Sequence, residues 1–262
     1  MRLGQIWVYP VKSLAGVQVD AAEVDDRGLV HDRRFMVVKP SGHFLTQRTL
    51  PRMALLAPHV EDGELVIAHG EASVRISREV EGPPLSVTVW EDDVEAVDAG
   101  DEPARFLSDA LGQEVRLVRM PRRTRRQVDL EHAREGDLVS FADGFPFLVV
   151  SDGSLAAFAG ALGAEADVRR FRPNLVVEGA SAFAEDDWGR FRIGPVTFHG
   201  TKACARCAVI DVDPDRGEST RDHLSALANI RKRDRSVYFG QNCVHDGSGT
   251  LRVGDAVEPL SD

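Results

Sequence analysis

The stretch "KACARCAVIDVDP", residues 202–214, carries two of the chain's three cysteines, Cys204 and Cys207, in a C-x-x-C spacing. Several chemistries compete for that spacing. A structural zinc site takes four nitrogen or sulfur ligands, and Cys204, Cys207 and Cys243 with one of His199, His223 or His245 supply the number; a second closely spaced ligand pair is missing. A thioredoxin-type dithiol sits at a helix N-terminus, where the dipole lowers the thiol pKa, whereas here the second cysteine leads into a β-like "AVIDVDP". Common iron–sulfur clusters need one cysteine more than the chain has. Two readings remain open on these residues alone. Either small thiols fill core positions, or a single thiolate, favoured by the flanking Lys202 and Arg206, ligates a soft metal.

Composition narrows the partners. The chain has 262 residues, 43% of them hydrophobic and 28% charged, which describes a globular protein with a sizeable core. A formal charge of -10 argues against a nonspecific grip on nucleic acid, which runs on phosphate neutralisation. The opening "MRLGQIWVYPVKS" lacks an apolar signal core, and no run approaches the roughly 20 apolar residues that cross a bilayer. No nucleic acid, no membrane and a cytoplasmic location are therefore expected. An odd number of cysteines fits a reducing compartment.

Turn signals such as "SLAG", "DDRG", "PSGH", "EDGE" and "EGPP" divide the first hundred residues into short β-type runs, among them "RFMVV", "MALLAPHV", "ELVIAH", "ASVRIS" and "LSVTVW". The period then changes. "DEPARFLSDALG" predicts a helix capped near Asp101, with Ala104, Leu107 and Leu111 on one face and Gly112 ending it. "PRRTRRQ" follows a strand-like "EVRLVRM" and places Arg119, Arg122, Arg123, Arg125 and Arg126 close together. A domain boundary is expected here, giving units 1–119 and 120–262. In the second unit "DLVSFADGFPFLVVSDGSLAAFAGALG" reads as strand, turn, strand and helix, and "RDHLSALANIRKR" as a helix with Leu224, Leu227 and Ile230 inward. The fold class is α+β and β-dominated. Neither a regular βαβ alternation nor a glycine-rich phosphate loop is apparent in the sequence.

"KACARCAVIDVDPDRGE", "FGQNCV" and "GTLRVGDAVEPL", in that order, resemble the MOSC domain family, named for the C-terminal domain of molybdenum cofactor sulfurases. Upstream, "IWVYPVKSLAGVQV", "GLVHDRRFMVV" and "TQRTLPRMALL" are similar to the N-terminal β-barrel domain that accompanies it, and "FRPNLVVEGASAFAEDDW" joins the two. The resemblance covers nearly the whole chain and is strongest to members of the amidoxime-reducing type. It implies a MOSC-type β-barrel domain, an N-terminal β-barrel-like domain whose first strand contributes to the site, and a molybdenum cofactor (Mo-molybdopterin).

The remaining site assignments follow from the resemblance. Cys207 is the metal ligand and catalytic centre, with Cys204 as a neighbour. Lys12 and Ser13 of "YPVKS", Arg34 as the second arginine of "DRRF", Arg172 of "FRPN" and Arg206 hold the cofactor. Asp143, Gly144 and Asn242 align with further contacting segments. The chemistry is coherent, since a dithiolene-bound molybdenum is thiophilic and a phosphate-bearing anion needs arginine forks or a lysine. Competing structural readings make Arg34 a solvated edge charge, pair Arg172 with Glu185 or Asp186, and make "PRRTRRQ" a solvated loop or donor-docking patch. The implied reaction is two-electron removal of oxygen from a small N-hydroxylated substrate. Because the chain lacks ferredoxin-type cysteines, a separate flavin or iron–sulfur donor protein is expected. The alternative function is a molybdenum cofactor or sulfur carrier without substrate turnover.

Overall fold

The computed structural model describes residues 1–260. Its largest sheet has nine strands. Along its path lie Val257–Pro259, Arg190–Ile193, Val196–Ala205, Ser236–Asp246, Phe147–Ser151, Leu175–Glu178, Arg2–Val8 and Val17–Val19, with Lys232–Arg233 paired to one side of Ser236–Asp246. This path does not close on itself. Phe147–Ser151 and Leu175–Glu178 run parallel, joined by helix α2 (Asp152–Leu162). Ser151 caps α2 through its hydroxyl, and Gly163 ends it in the left-handed region at φ 72°.

A five-stranded sheet joins Pro84–Val89, Asp92–Asp98, Arg116–Arg119, Phe35–Val38 and Val11–Lys12. Helix α1 (Asp101–Leu111) lies with it, burying Leu107 and Leu111 among Phe35, Val37 and Leu117, with Ala104 also buried. Gly100, not Asp101, occupies the N-cap position, and Asp101 instead pairs with Arg116 at 2.8 Å. Two three-stranded sheets complete the β-dominated architecture, together with one two-stranded sheet.

The chain's first segment stitches these layers together. Arg2–Val8 pairs with Leu175–Glu178 on one side and Val17–Val19 on the other, inside the large sheet. Three residues later Val11–Lys12 pairs with Phe35–Val38 in the five-stranded sheet. Tyr9 to Ser13 therefore occupy the seam between the two sheets. Within the large sheet, Asn174 ties Arg2–Val8 to Phe147–Ser151: its backbone N–H donates to Leu148, its carbonyl accepts from Trp7, and its amide bonds the backbone of both residues. The asparagine of "FRPN" is thus a buried structural tie.

Three local expectations are corrected. "AVIDVDP" opens as a 3-10 turn, Ala208–Asp211, before a two-residue strand, Val212–Asp213. Buried Asp211 enforces that turn by accepting the backbone N–H of Leu224, at the start of helix α3 (His223–Arg231). Ile230 of α3 is 41% exposed, while Leu227 is buried and Leu224 packs beside it. Leu138 forms only an isolated bridge to Gln127, and beyond it the carbonyls of Ser140 and Ala142 accept from the Arg126 side chain. No helix among the described residues is long and apolar enough to cross a membrane.

Candidate functional site

At the seam lies a cleft of about 140 Å³ whose lining includes Lys12, Ser13, Asp143, Gly144, Arg172, Cys204, Arg206, Cys207 and Asn242. Every candidate named from the sequence is there except Arg34. Arg33, Thr46 and Gln47 line it as well.

The cysteine segment reaches the cleft through an irregular ladder. Val196–Ala205 pairs with Ser236–Asp246, but the register shifts between Gly200 and Lys202 and again between Ala203 and Ala205. Such bulges bend a strand and re-aim its side chains. Cys207 follows directly and is exposed, whereas Cys204 is half-buried. Cys243 is fully buried in the core around Phe147 and Phe198, and burial pushes its thiol far above the usual range. The cysteines do not converge on a zinc site: among the described residues the one tight group of potential ligands is Asp129, Glu131 and His132, elsewhere on the surface.

Four cations face the cleft. Arg33 pairs with buried Asp32 at 2.6 Å, and Lys12 pairs with Asp143. Arg172 and Arg206 form no ion pair with any described carboxylate. Arg172 donates to the Leu14 carbonyl at 2.7 Å, and Arg206 donates to the Phe171 carbonyl at 2.7 Å and to the Cys204 sulfur at 3.1 Å. The Nε of Arg206 is buried without a partner. Arg172 does not reach Glu185 or Asp186, since Ser151 takes the first and Arg231 and Arg233 take the second. Burial, and then Arg33 nearby, push Arg172 down to about 10.

Tyr9 spaces two of these charges. Its ring stacks with Arg33 at 4.1 Å and with Arg172 at 4.3 Å. Its hydroxyl is buried and unpartnered, and burial raises its pKa. Gly16 leaves room for that ring: a Cβ there would lie 2.3 Å from a Tyr9 ring carbon. Ser13, Arg33 and Arg172 all adopt positive φ, at 67°, 47° and 56°. A non-glycine residue in that region costs about 1–3 kcal/mol and persists only when its surroundings impose it.

Arg34 is the misplaced candidate. Arg33, in the left-handed region, turns into the cleft, and the strand that begins at Phe35 sends Arg34 the other way. Arg34 pairs with Asp25 at 2.6 Å and lines a separate, larger cavity. The first arginine of "DRRF", not the second, therefore lines the cleft that holds Cys207. Two adjacent arginines were visible in the sequence; the φ that chooses between them was not.

The arginine run is likewise not a uniformly solvated loop. Arg119 is buried against Glu79, and Arg126 is buried with Asp92 at 2.8 Å. Arg126 also donates to the carbonyls of Ser140, Ala142 and Asp143, so it clamps the loop that carries Asp143 and Gly144. Asp143 receives Lys12 and, at 3.2 Å, the Trp90 indole N–H. Lying in the cleft disfavours its charge, but Lys12, Trp90 and Arg33 outweigh this and hold its carboxyl below the usual carboxylate range. Burial lowers the Lys12 pKa against the pull of Asp143. Gln47, buried, donates to the Ser13 carbonyl at 2.8 Å and fixes that strained residue.

Comparison with known proteins finds two domain families along the chain. The MOSC N-terminal beta barrel domain matches residues 1–114, and the MOSC domain matches residues 137–258. The chain is 34% identical over 276 residues to mitochondrial amidoxime-reducing component 1 of Mus musculus, covering 97% of this chain and 81% of that protein. The human component 1 is 32% identical over 278 residues, with 97% and 82% covered. Mitochondrial amidoxime reducing component 2 of Rattus norvegicus is 33% identical over 285 residues, with 99% and 83% covered.

Proposed function

Because this chain belongs to the MOSC domain family, in company with the mitochondrial amidoxime-reducing components, we propose that it is a molybdenum cofactor-dependent reductase of N-hydroxylated compounds supplied with electrons by a separate donor protein. One observation carries the reading: an exposed thiol, Cys207, shares a cleft with two arginines, Arg172 and Arg206, that have no carboxylate partner among the described residues.

The residues fit a phosphate-bearing pterin and a thiophilic metal. The partnerless Nε of Arg206 and the depressed Arg172 leave hydrogen-bonding capacity and positive charge unmatched within the chain. An anion in the cleft matches both. Arg33, Arg172 and Arg206 would hold the phosphate and ring edges, Lys12 would add a point charge, and Cys207 would ligate the metal. When bound, the cofactor supplies the two-electron redox chemistry. The protein's own share is positioning. Tyr9 fixes the angle between Arg33 and Arg172, Gln47 holds Ser13, and Arg126 with Lys12 holds the Asp143 loop at the mouth. Overall, an N–OH group, two electrons and two protons give N–H and water.

The test is reduction of benzamidoxime by protein from a cofactor-competent host, with dithionite-reduced viologen as donor and molybdenum measured per chain. Wild-type protein turns over and Cys207→Ser does not. Full activity in Cys207→Ser contradicts the assignment.

A further inference from the structure

Trp90 has a strained conformation that burial does not repay. It opens a two-residue hairpin turn, because Val89 pairs with Asp92 across the loop. Its φ is 59°, and Glu91 beside it has no positive φ. Positive φ at the first turn position alone is the pattern in which glycine is favoured, and a bulky aromatic there is strained. Burial does not compensate, because Trp90 is 41% exposed while Trp7 and Trp188 are 9% and 7% exposed.

The strained indole is nevertheless fixed in place. Its N–H donates to Asp143 of the Cys207 cleft at 3.2 Å, Phe44 packs against it with ring centroids 5.1 Å apart, and the exposed Arg48 guanidinium stacks on it at 4.2 Å. Thr46 and Gln47, just before Arg48, line the cleft. The result is a flat, half-exposed aromatic and guanidinium shelf joined to the cleft rim. Strain that folding does not require, held beside a reactive centre, points to recognition.

We propose that Trp90, with Arg48, is a substrate subsite that selects N-hydroxylated amidines whose carbon bears an aromatic or other planar π-group over those bearing a small alkyl group. This rests on the reductase reading above. A planar ring conjugated to the N–OH carbon stacks on the shelf while the N–OH group points into the cleft; a methyl group has no face to offer.

The test compares benzamidoxime with acetamidoxime for wild type, Trp90→Gly and Trp90→Phe. An aromatic contact of ordinary strength makes the benzamidoxime-to-acetamidoxime ratio of kcat/KM fall about threefold to tenfold in Trp90→Gly, and Trp90→Phe restores most of it. Trp90→Gly relieves the turn but gives up the Phe44, Arg48 and Asp143 contacts, so melting temperature and molybdenum per chain are measured beside the ratio, and recovery of the ratio in Trp90→Phe separates lost recognition from misfolding. Binding is read independently of turnover. Trp90 is the exposed tryptophan, so benzamidoxime protects its fluorescence from acrylamide quenching and acetamidoxime at equal concentration does not. An unchanged ratio in active Trp90→Gly, or equal protection by both compounds, overturns the subsite and leaves the reductase reading standing. Wild type that binds molybdenum yet reduces neither compound defeats the reductase reading, while the quenching comparison still decides the subsite.

Discussion

The molecule presents two arginine-lined hollows, back to back across residues 31–35. The larger, about 650 Å³, is lined by Arg27, Arg34, Arg78, Arg119 and Arg122. Most of its charge is answered locally: Arg34 by Asp25 at 2.6 Å, Arg119 by Glu79 at 2.6 Å, and Arg27 by Asp26 at 3.6 Å. The smaller, about 140 Å³, leaves Arg172 and Arg206 without carboxylates and holds Ser13, Arg33 and Arg172 in the left-handed region. Volume alone favours the first as a binding site. Unanswered charge, backbone strain and an exposed thiol favour the second, and these properties bear more directly on chemistry.

The largest effect that sharpens this contrast is on stability. Arg126 is buried and satisfies three carbonyls of the loop framing the small cleft. Replacing Arg126 by Ala strands those acceptors and should cost about 2–4 kcal/mol in urea unfolding. Arg122, which is largely exposed, should cost well under 1 kcal/mol by the same assay.

Next comes the contrast between neighbours. Arg33→Ala should lower molybdenum per chain by about tenfold or more, the order expected for one charge-assisted hydrogen bond, while Arg34→Ala leaves it within about twofold. Reversal of that order in metal analysis would break the comparison. Gly16→Ala drives a Cβ into the Tyr9 ring and so displaces both stacked guanidiniums. Overpacking there should cost about 1–3 kcal/mol and reduce molybdenum loading, whereas Gly160→Ala, whose Cβ meets nothing within 4 Å, should keep the loading of wild type.

The smallest effect lies in the larger hollow. Burial first, then Arg78 and Arg34, push His31 from 6.5 down to about 4. Between those values the unfolded chain binds a proton that the folded chain refuses, so this group lowers stability as pH falls from about 6.5 to 4. Asn tolerates the positive φ of position 31. His31→Asn should therefore flatten part of the acid-side slope in urea midpoints measured at pH 7, 5.5 and 4.5, and identical slopes would contradict the assignment.

What the sequence made legible follows from locality. Lys12 with Ser13, Asp143 with Gly144, and Arg206 with Cys207 each sit within one short motif, and the fold brings those motifs to one cleft. Arg33 was hidden because "DRRF" offers two identical side chains, and only a left-handed φ of 47° separates them. Arg126 was hidden inside a run of arginines whose members differ in burial, a property set by distant Asp92 and the 140–143 loop. The β-branched "AVIDVDP" suggested a strand, but Asp211 is committed to capping α3, and that tertiary demand overrides local preference. Tyr9 had no signal beyond a tyrosine before a proline; its role appears only once Arg33 and Arg172 both stack on its ring.

The central claim is that one sulfur, Cys207, completes a metal site in the smaller hollow. Molybdenum X-ray absorption on wild type, Cys207→Ser and Cys204→Ser tests it most directly. The account predicts loss of one sulfur scatterer in Cys207→Ser alone. Unchanged sulfur coordination in Cys207→Ser, or the loss appearing in Cys204→Ser instead, would contradict it.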